Sequence, residues 1–140
     1  MKRLAFLVLL TCLFFFSACD SGVEKMNLLD EKISAIKVSH SEGVGDMNLH
    51  IALTIDKQEQ IKVIEKVIRS AVKKNVSIDR QPDYDVMVEY EGGLPTHAIH
   101  LWLGEEGAKS ILMYMVGEGE TYVTSEKHTE RLRKILLNKK

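Results

Sequence analysis

The stretch PDYDVMVEY, Pro82 to Tyr90, decides how the rest of the chain is read. Tyr84, Val86, Val88 and Tyr90 alternate with Asp85, Met87 and Glu89. A period of two sends successive side chains to opposite faces of an extended strand. Valine and tyrosine suit a pleated surface, so the segment predicts a half-buried strand with Tyr84 and Tyr90 on its core side. Glu91-Gly92-Gly93 then turns the chain.

Downstream, the pattern repeats. His97 to Leu103 predicts a second strand, with Ile99, Leu101 and Leu103 on one face and Trp102 on the other. Ser110 to Val116 is apolar on both faces, as in a covered strand. Gly117 to Glu120 is a turn, and Thr121 to Thr124 a short last strand. Short strands joined by glycine-containing turns predict an antiparallel meander.

Upstream, Ile33 to His40 reads as a strand with Ile36 and Val38 on one face. Ser41 to Asp46 (SEGVGD) is a turn cluster, and Leu49, Ile51, Leu53 and Ile55 mark a partner strand. Asp56 to Asn75 predicts an amphipathic helix, with Asp56 and Glu59 spaced as a capping box. Its apolar face holds Ile61, Ile64, Val67, Ile68, Ala71 and Val72, opposite a lysine-rich arc. Ser125 to Asn138 predicts a last helix, capped by Ser125, with a stripe of Leu132, Ile135 and Leu136. The order β-β-α-β-β-β-β-α places the chain in the α+β class: one antiparallel meander sheet of about five or six strands with two helices packed on it.

The start of the chain is different in kind. Lys2 and Arg3 precede a run from Leu4 to Phe16 whose one polar residue is Thr11, and Ser17-Ala18-Cys19 follow. A positive region, a short apolar region and a small-residue end are the layout of a secretory signal. The run falls short of the ~20 residues a membrane-spanning helix needs. Phe16-Ser17-Ala18-Cys19 resembles the lipobox of bacterial lipoproteins, with Phe16 where leucine is usual. That resemblance implies a diacylglycerol on Cys19 and a cut just before it. The expected organisation is a signal over residues 1–18, a lipidated Cys19 with a tether over 19–32, and one domain over 33–140.

Charge and cysteine usage fit this reading. Cys12 would leave with the signal, and no other cysteine follows Cys19, so a disulfide or thiolate centre in the folded part is excluded. Of 19 basic residues, Lys2 and Arg3 would be lost, leaving 17 against 20 acidic ones, a balance of −3. No basic field points to nucleic acid.

Three segments carry a family resemblance: PDYDVMVEY itself, HLWLG at His100 to Gly104, and TYVTSEKHTERLRKIL at Thr121 to Leu136. From Ile33 onward the chain resembles the YhfM-like domain of small lipoproteins in Bacillus-type bacteria. The resemblance implies an exported domain attached to the cytoplasmic membrane on its extracytoplasmic face. It supplies no site residues.

Candidate chemistry is sparse. His97 and His100 are the closest histidine pair, but on a strand positions i and i+3 face opposite ways. A zinc site there would need further ligands. His128 shares the stripe of the last helix with Leu132 and reads as a packing residue. Met113 and Met115, with Met87, could offer thioethers to Cu(I), although core filling is the commoner use of methionine. Asp83 and Asp85 flank Tyr84, and a carboxylate pair does acid–base work only inside a cleft. No G-x-S-x-G, H-E-x-x-H or S-x-x-K with its partner motifs is present.

Trp102, Tyr114 and Tyr122 are the aromatic side chains that would form a surface for a glycan, peptide or protein if exposed. The functional expectation is therefore a lipid-anchored, non-enzymatic interaction domain. It would carry no catalytic residues, metal or cofactor, and its partners would be the membrane and a protein or envelope component. The rival is a small extracytoplasmic metal-binding protein or enzyme using His97, His100 and the acidic strand residues.

Overall fold

The computed structural model describes residues 22–138, and among them lie seven strands, two helices and one core cluster. The strands are β1 (Ile33–His40), β2 (Ile51–Ile55), β3 (Val72–Lys73), β4 (Tyr84–Tyr90), β5 (His97–Trp102), β6 (Ile111–Tyr114) and β7 (Thr121–Val123). The helices are α1 (Gln58–Ser70) and α2 (Glu126–Leu137). All seven strands form one antiparallel sheet in the order β2-β1-β4-β5-β6-β7-β3.

The α+β class and the meander β4-β5-β6-β7 are as the alternation predicts. The sheet has one more strand than expected. α1 ends at Ser70 rather than Asn75, because Ala71 is extended and Val72–Lys73 pair with β7 at the far edge. Propensity alone does not signal so short a strand; it exists because β7 offers it backbone partners. The capping box is also corrected: the cap position is Lys57, and no side chain caps it. Ser125 does cap α2, its Oγ accepting from the His128 N–H at 3.2 Å.

One face of the sheet carries the core. Ile36, Val38, Val86, Val88, Ile99 and Leu101 share it through the β1-β4-β5 register. Ile61, Ile64, Val67 and Ile68 of α1 and Leu132 of α2 close over them in one cluster. Burying each such side chain contributes about 1.5–3 kcal/mol, so packing, more than intrinsic helix propensity, holds α1. The start of α2 is fixed by a buried polar knot, in which Thr129 bonds Ser110 at 2.9 Å and Thr124 at 3.0 Å.

The opposite face is also covered. After β3 the chain returns over it towards β4, and the Trp102 indole donates to the Arg80 carbonyl at 2.9 Å. The turn cluster from Ser41 lies over its other end, tied to Asp85 and His100.

The expected tether is corrected in part. Met26 and Leu28 are buried in the core. The Met26 N–H donates to the Ala71 carbonyl at 2.9 Å and the Lys73 N–H to the Glu24 carbonyl at 2.8 Å. Arg69 clamps the Leu28 and Leu29 carbonyls at 3.2 and 2.7 Å. Glu24 to Leu29 are thus built into the domain. Cys19 and the signal lie outside the described residues.

Candidate binding groove

β1 and β2 run to the edge of the sheet, and the end of α2 stops above them. The space between is a groove of about 850 Å³. Its sheet side is Val38, Leu53 and Ile55, and its helix side is Ile135 and Leu136. A volume of this size with an apolar floor is typical of ligand sites, whose range is roughly 300–1,000 Å³. A hollow beside Lys73 and Thr121 is smaller, at about 350 Å³.

The groove exists because of where the alternation of β2 meets the core. Leu49, Ile51, Leu53 and Ile55 predict a buried face, yet Leu49 is 77% exposed and Ile51 37%. Only Ile55 is fully buried, with Leu53 packed partly against the cluster. β2 is an edge strand, and a register shift between Val38 and Ser39 pairs Ile51 with Ser39 on the other face, so Leu53 and Ile55 are the large apolar side chains it keeps on the groove. Tyr84, read as core, is half-buried and lines this space. Its ring lies 5.3 Å from that of His40 at the rim.

The polar part of the lining carries positive charge. Lys57 and Lys134 belong to it, both exposed, with His40, Gln60 and Asn138 as further polar groups. No aspartate or glutamate is among the residues lining it.

The residues singled out from sequence lie elsewhere, and the structure does not gather them. Trp102 is 2% exposed and Tyr122 4%, so the expected surface of Trp102, Tyr114 and Tyr122 is corrected. Tyr114 and Tyr122 lie on the helix side of the sheet, 5.7 Å apart, and Trp102 faces the other way. The Tyr114 hydroxyl is occupied by the Asn27 backbone, accepting from its N–H at 2.7 Å and donating to its carbonyl.

His97 and His100 diverge, as strand geometry predicts. His97 faces the helices, where its Nδ1 lies 2.7 Å from the Tyr90 hydroxyl. Burial, with the Arg69 guanidinium second, holds its pKa below the ordinary 6.5. His100 faces the other side and is fully buried. Its Nδ1 is 2.9 Å from Asp85 Oδ1, and its Nε2 accepts the Gly45 N–H at 3.1 Å. An accepting Nε2 places the proton of the neutral ring on Nδ1. Both nitrogens are used, and Asp85 also accepts from the Asn48 N–H at 2.9 Å. Beside it, Ser39 donates to the Asn48 carbonyl at 2.6 Å. This row pins the Ser41–His50 loop; it leaves no nitrogen or carboxylate oxygen aimed at solvent.

Asp83 does not join Asp85 as an acid pair: it bonds Arg80 at 2.8 Å and the Leu103 N–H at 2.8 Å. Met113 is buried on the His100 side, opposite His100 in register. Among the described residues no three His, Cys, Asp or Glu side chains are grouped to hold a metal ion. His128 is half-buried, as its stripe position implies, with Nδ1 2.8 Å from the Ser70 hydroxyl.

The profile of the YhfM protein family matches residues 30–140. Among solved structures, a thioesterase-like protein from Clostridium sporogenes shares the fold, with a TM-score of 0.62 and 18% identity. The match covers 76% of this chain and 96% of that one. No curated protein matches the chain. The structural likeness corrects the expectation of a non-enzymatic domain, since a protein of thioesterase-like description is built on the same fold. At this identity the likeness carries the fold alone.

Proposed function

The chain belongs to the YhfM protein family, and from that premise we propose that it is a lipid-anchored extracytoplasmic domain that holds a ligand in the groove between β2 and the end of α2. The observation that carries the binding reading is the groove itself: an apolar floor between the edge strand β2 and the end of α2, lined also by polar side chains. The ligand in this reading is a component of the envelope in which the domain stands.

The anchor reading rests on the lipobox-like Phe16 to Cys19 and the signal layout before it. Among the described residues, no helix is long and apolar enough to cross a membrane; the proposed attachment is the lipid on Cys19. The docked segment sharpens the consequence. Between Cys19 and Glu24 there are five residue steps, which span at most roughly 17 Å of extended chain. In this reading the domain stands close to the lipid surface, joined to it at the β3 edge of the sheet, with the groove at the opposite, β2 edge.

Two linked measurements test this. Labelled palmitate is incorporated by the wild-type chain and lost in Cys19→Ala; retained label in that variant refutes the anchor. Native mass spectrometry of the protein taken from its own membranes shows a bound small molecule that is missing from Leu53→Trp, which fills the groove. A wild-type protein that carries no adduct under these conditions refutes the binding reading.

A further inference from the structure

The groove has a polarity along it that its ligand must match. Val38, Leu53, Ile55, Ile135 and Leu136 give one long apolar wall pair, while Lys57 and Lys134 bring positive charge to the lining. Both lysines are exposed. Some cations elsewhere are paired, as Lys32 is with Glu91 and Lys37 with Glu89, and others, such as Lys62 and Lys127, like Lys57 and Lys134, are in no ion pair among the described residues. The local feature is the lining: it holds two lysines and no acid, in a chain with 19 basic against 20 acidic residues.

An apolar trough alone would accept any greasy molecule. A cationic lining discriminates, because charge complementarity favours one sign of head group and repels the other. Resting on the binding reading above, we infer that the occupant is a single-chain amphiphile with an anionic head group. Its hydrocarbon chain lies between β2 and the end of α2, and its head meets Lys57 and Lys134, with His40 and Tyr84 as hydrogen-bonding neighbours. A cationic peptide would bring no such match.

The test is a calorimetric titration of residues 20–140 with decanoate, decanol and decyltrimethylammonium, each below its micellar concentration. Decanoate binds one to one, decanol at least tenfold more weakly, and the cation more weakly still. Lys57→Glu with Lys134→Glu lowers decanoate affinity at least tenfold and leaves decanol unchanged. Both sites are exposed, and an unaltered Tm confirms that the variant is folded. Equal affinity for the three compounds, or decanoate binding that survives the double charge reversal, overturns the inference while leaving the groove a binding site. Absence of binding by all three, with a native adduct still displaced by Leu53→Trp, overturns it too and points to another ligand class. If the native adduct is also missing, the binding reading falls with it.

Discussion

His97 and His100 lie three positions apart, and strand alternation sends them into unlike surroundings on opposite sides of the sheet. His100 is a structural linchpin. Replacing it with alanine strips partners from Asp85 and Gly45 and opens a void. Unpartnered buried groups cost about 1–3 kcal/mol each, so with the void the expected loss is about 3–5 kcal/mol. Hydrogen exchange of the Ser41–His50 loop should quicken by more than global unfolding explains. Unchanged stability and loop protection in His100→Ala would contradict the assigned bonds.

His97 carries the pH dependence. Its folded pKa is lowered by burial and by Arg69, and that of His128 by burial and by Arg131, Lys66 and Lys127. The unfolded chain therefore binds more protons than the native one just below the ordinary value of 6.5. Stability rises with pH where the unfolded state holds more protons, so it is present in full above about 6.5 and is lost as acidification proceeds towards the folded values. Urea midpoints measured across this window should fall as pH drops, and fall less steeply in His97→Gln. An identical slope in wild type and variant would show that other groups govern the acid limb.

At the scale of elements, the parts with strong periodicity were readable and those made by tertiary contact were not. The alternation in PDYDVMVEY and the Ile61, Ile64, Val67 and Ile68 part of the α1 stripe hold because many buried side chains enforce each. The pairing of Asp85 with His100 could be foreseen only with a register, since they are 15 positions apart and meet across β4 and β5. The groove was invisible for a related reason. The alternation of β2 marks its apolar face, but not where the helices stop covering it.

The docked N-terminal segment was read as a tether because Asp20 to Lys32 is polar on average. Met26 and Leu28 were the legible signal, two apolar residues at strand spacing. Their burial makes a strong expectation: Met26→Ala costs about 2–5 kcal/mol, although it lies before the stretch that matches the family profile. Chemical denaturation checks this, and a loss below the range would mean that the segment adds little to the fold.

For the whole molecule, one argument joins anchor, docked segment and groove. The proposed anchor ties the domain to the bilayer by a short link, and the edge strand and the end of α2 enclose an apolar trough whose lining includes Lys57 and Lys134. The covered aromatics and the locked Asp85–His100 row are scaffold in this account, and the groove is the working surface. Methyl-resolved NMR of residues 20–140 during titration with decanoate tests that division most directly. The account predicts saturable shifts at the methyl groups of Val38, Leu53, Ile55, Ile135 and Leu136, with those of Ile33 and Ile111 unmoved. Shifts centred on any other face, or none at saturating ligand, would contradict it.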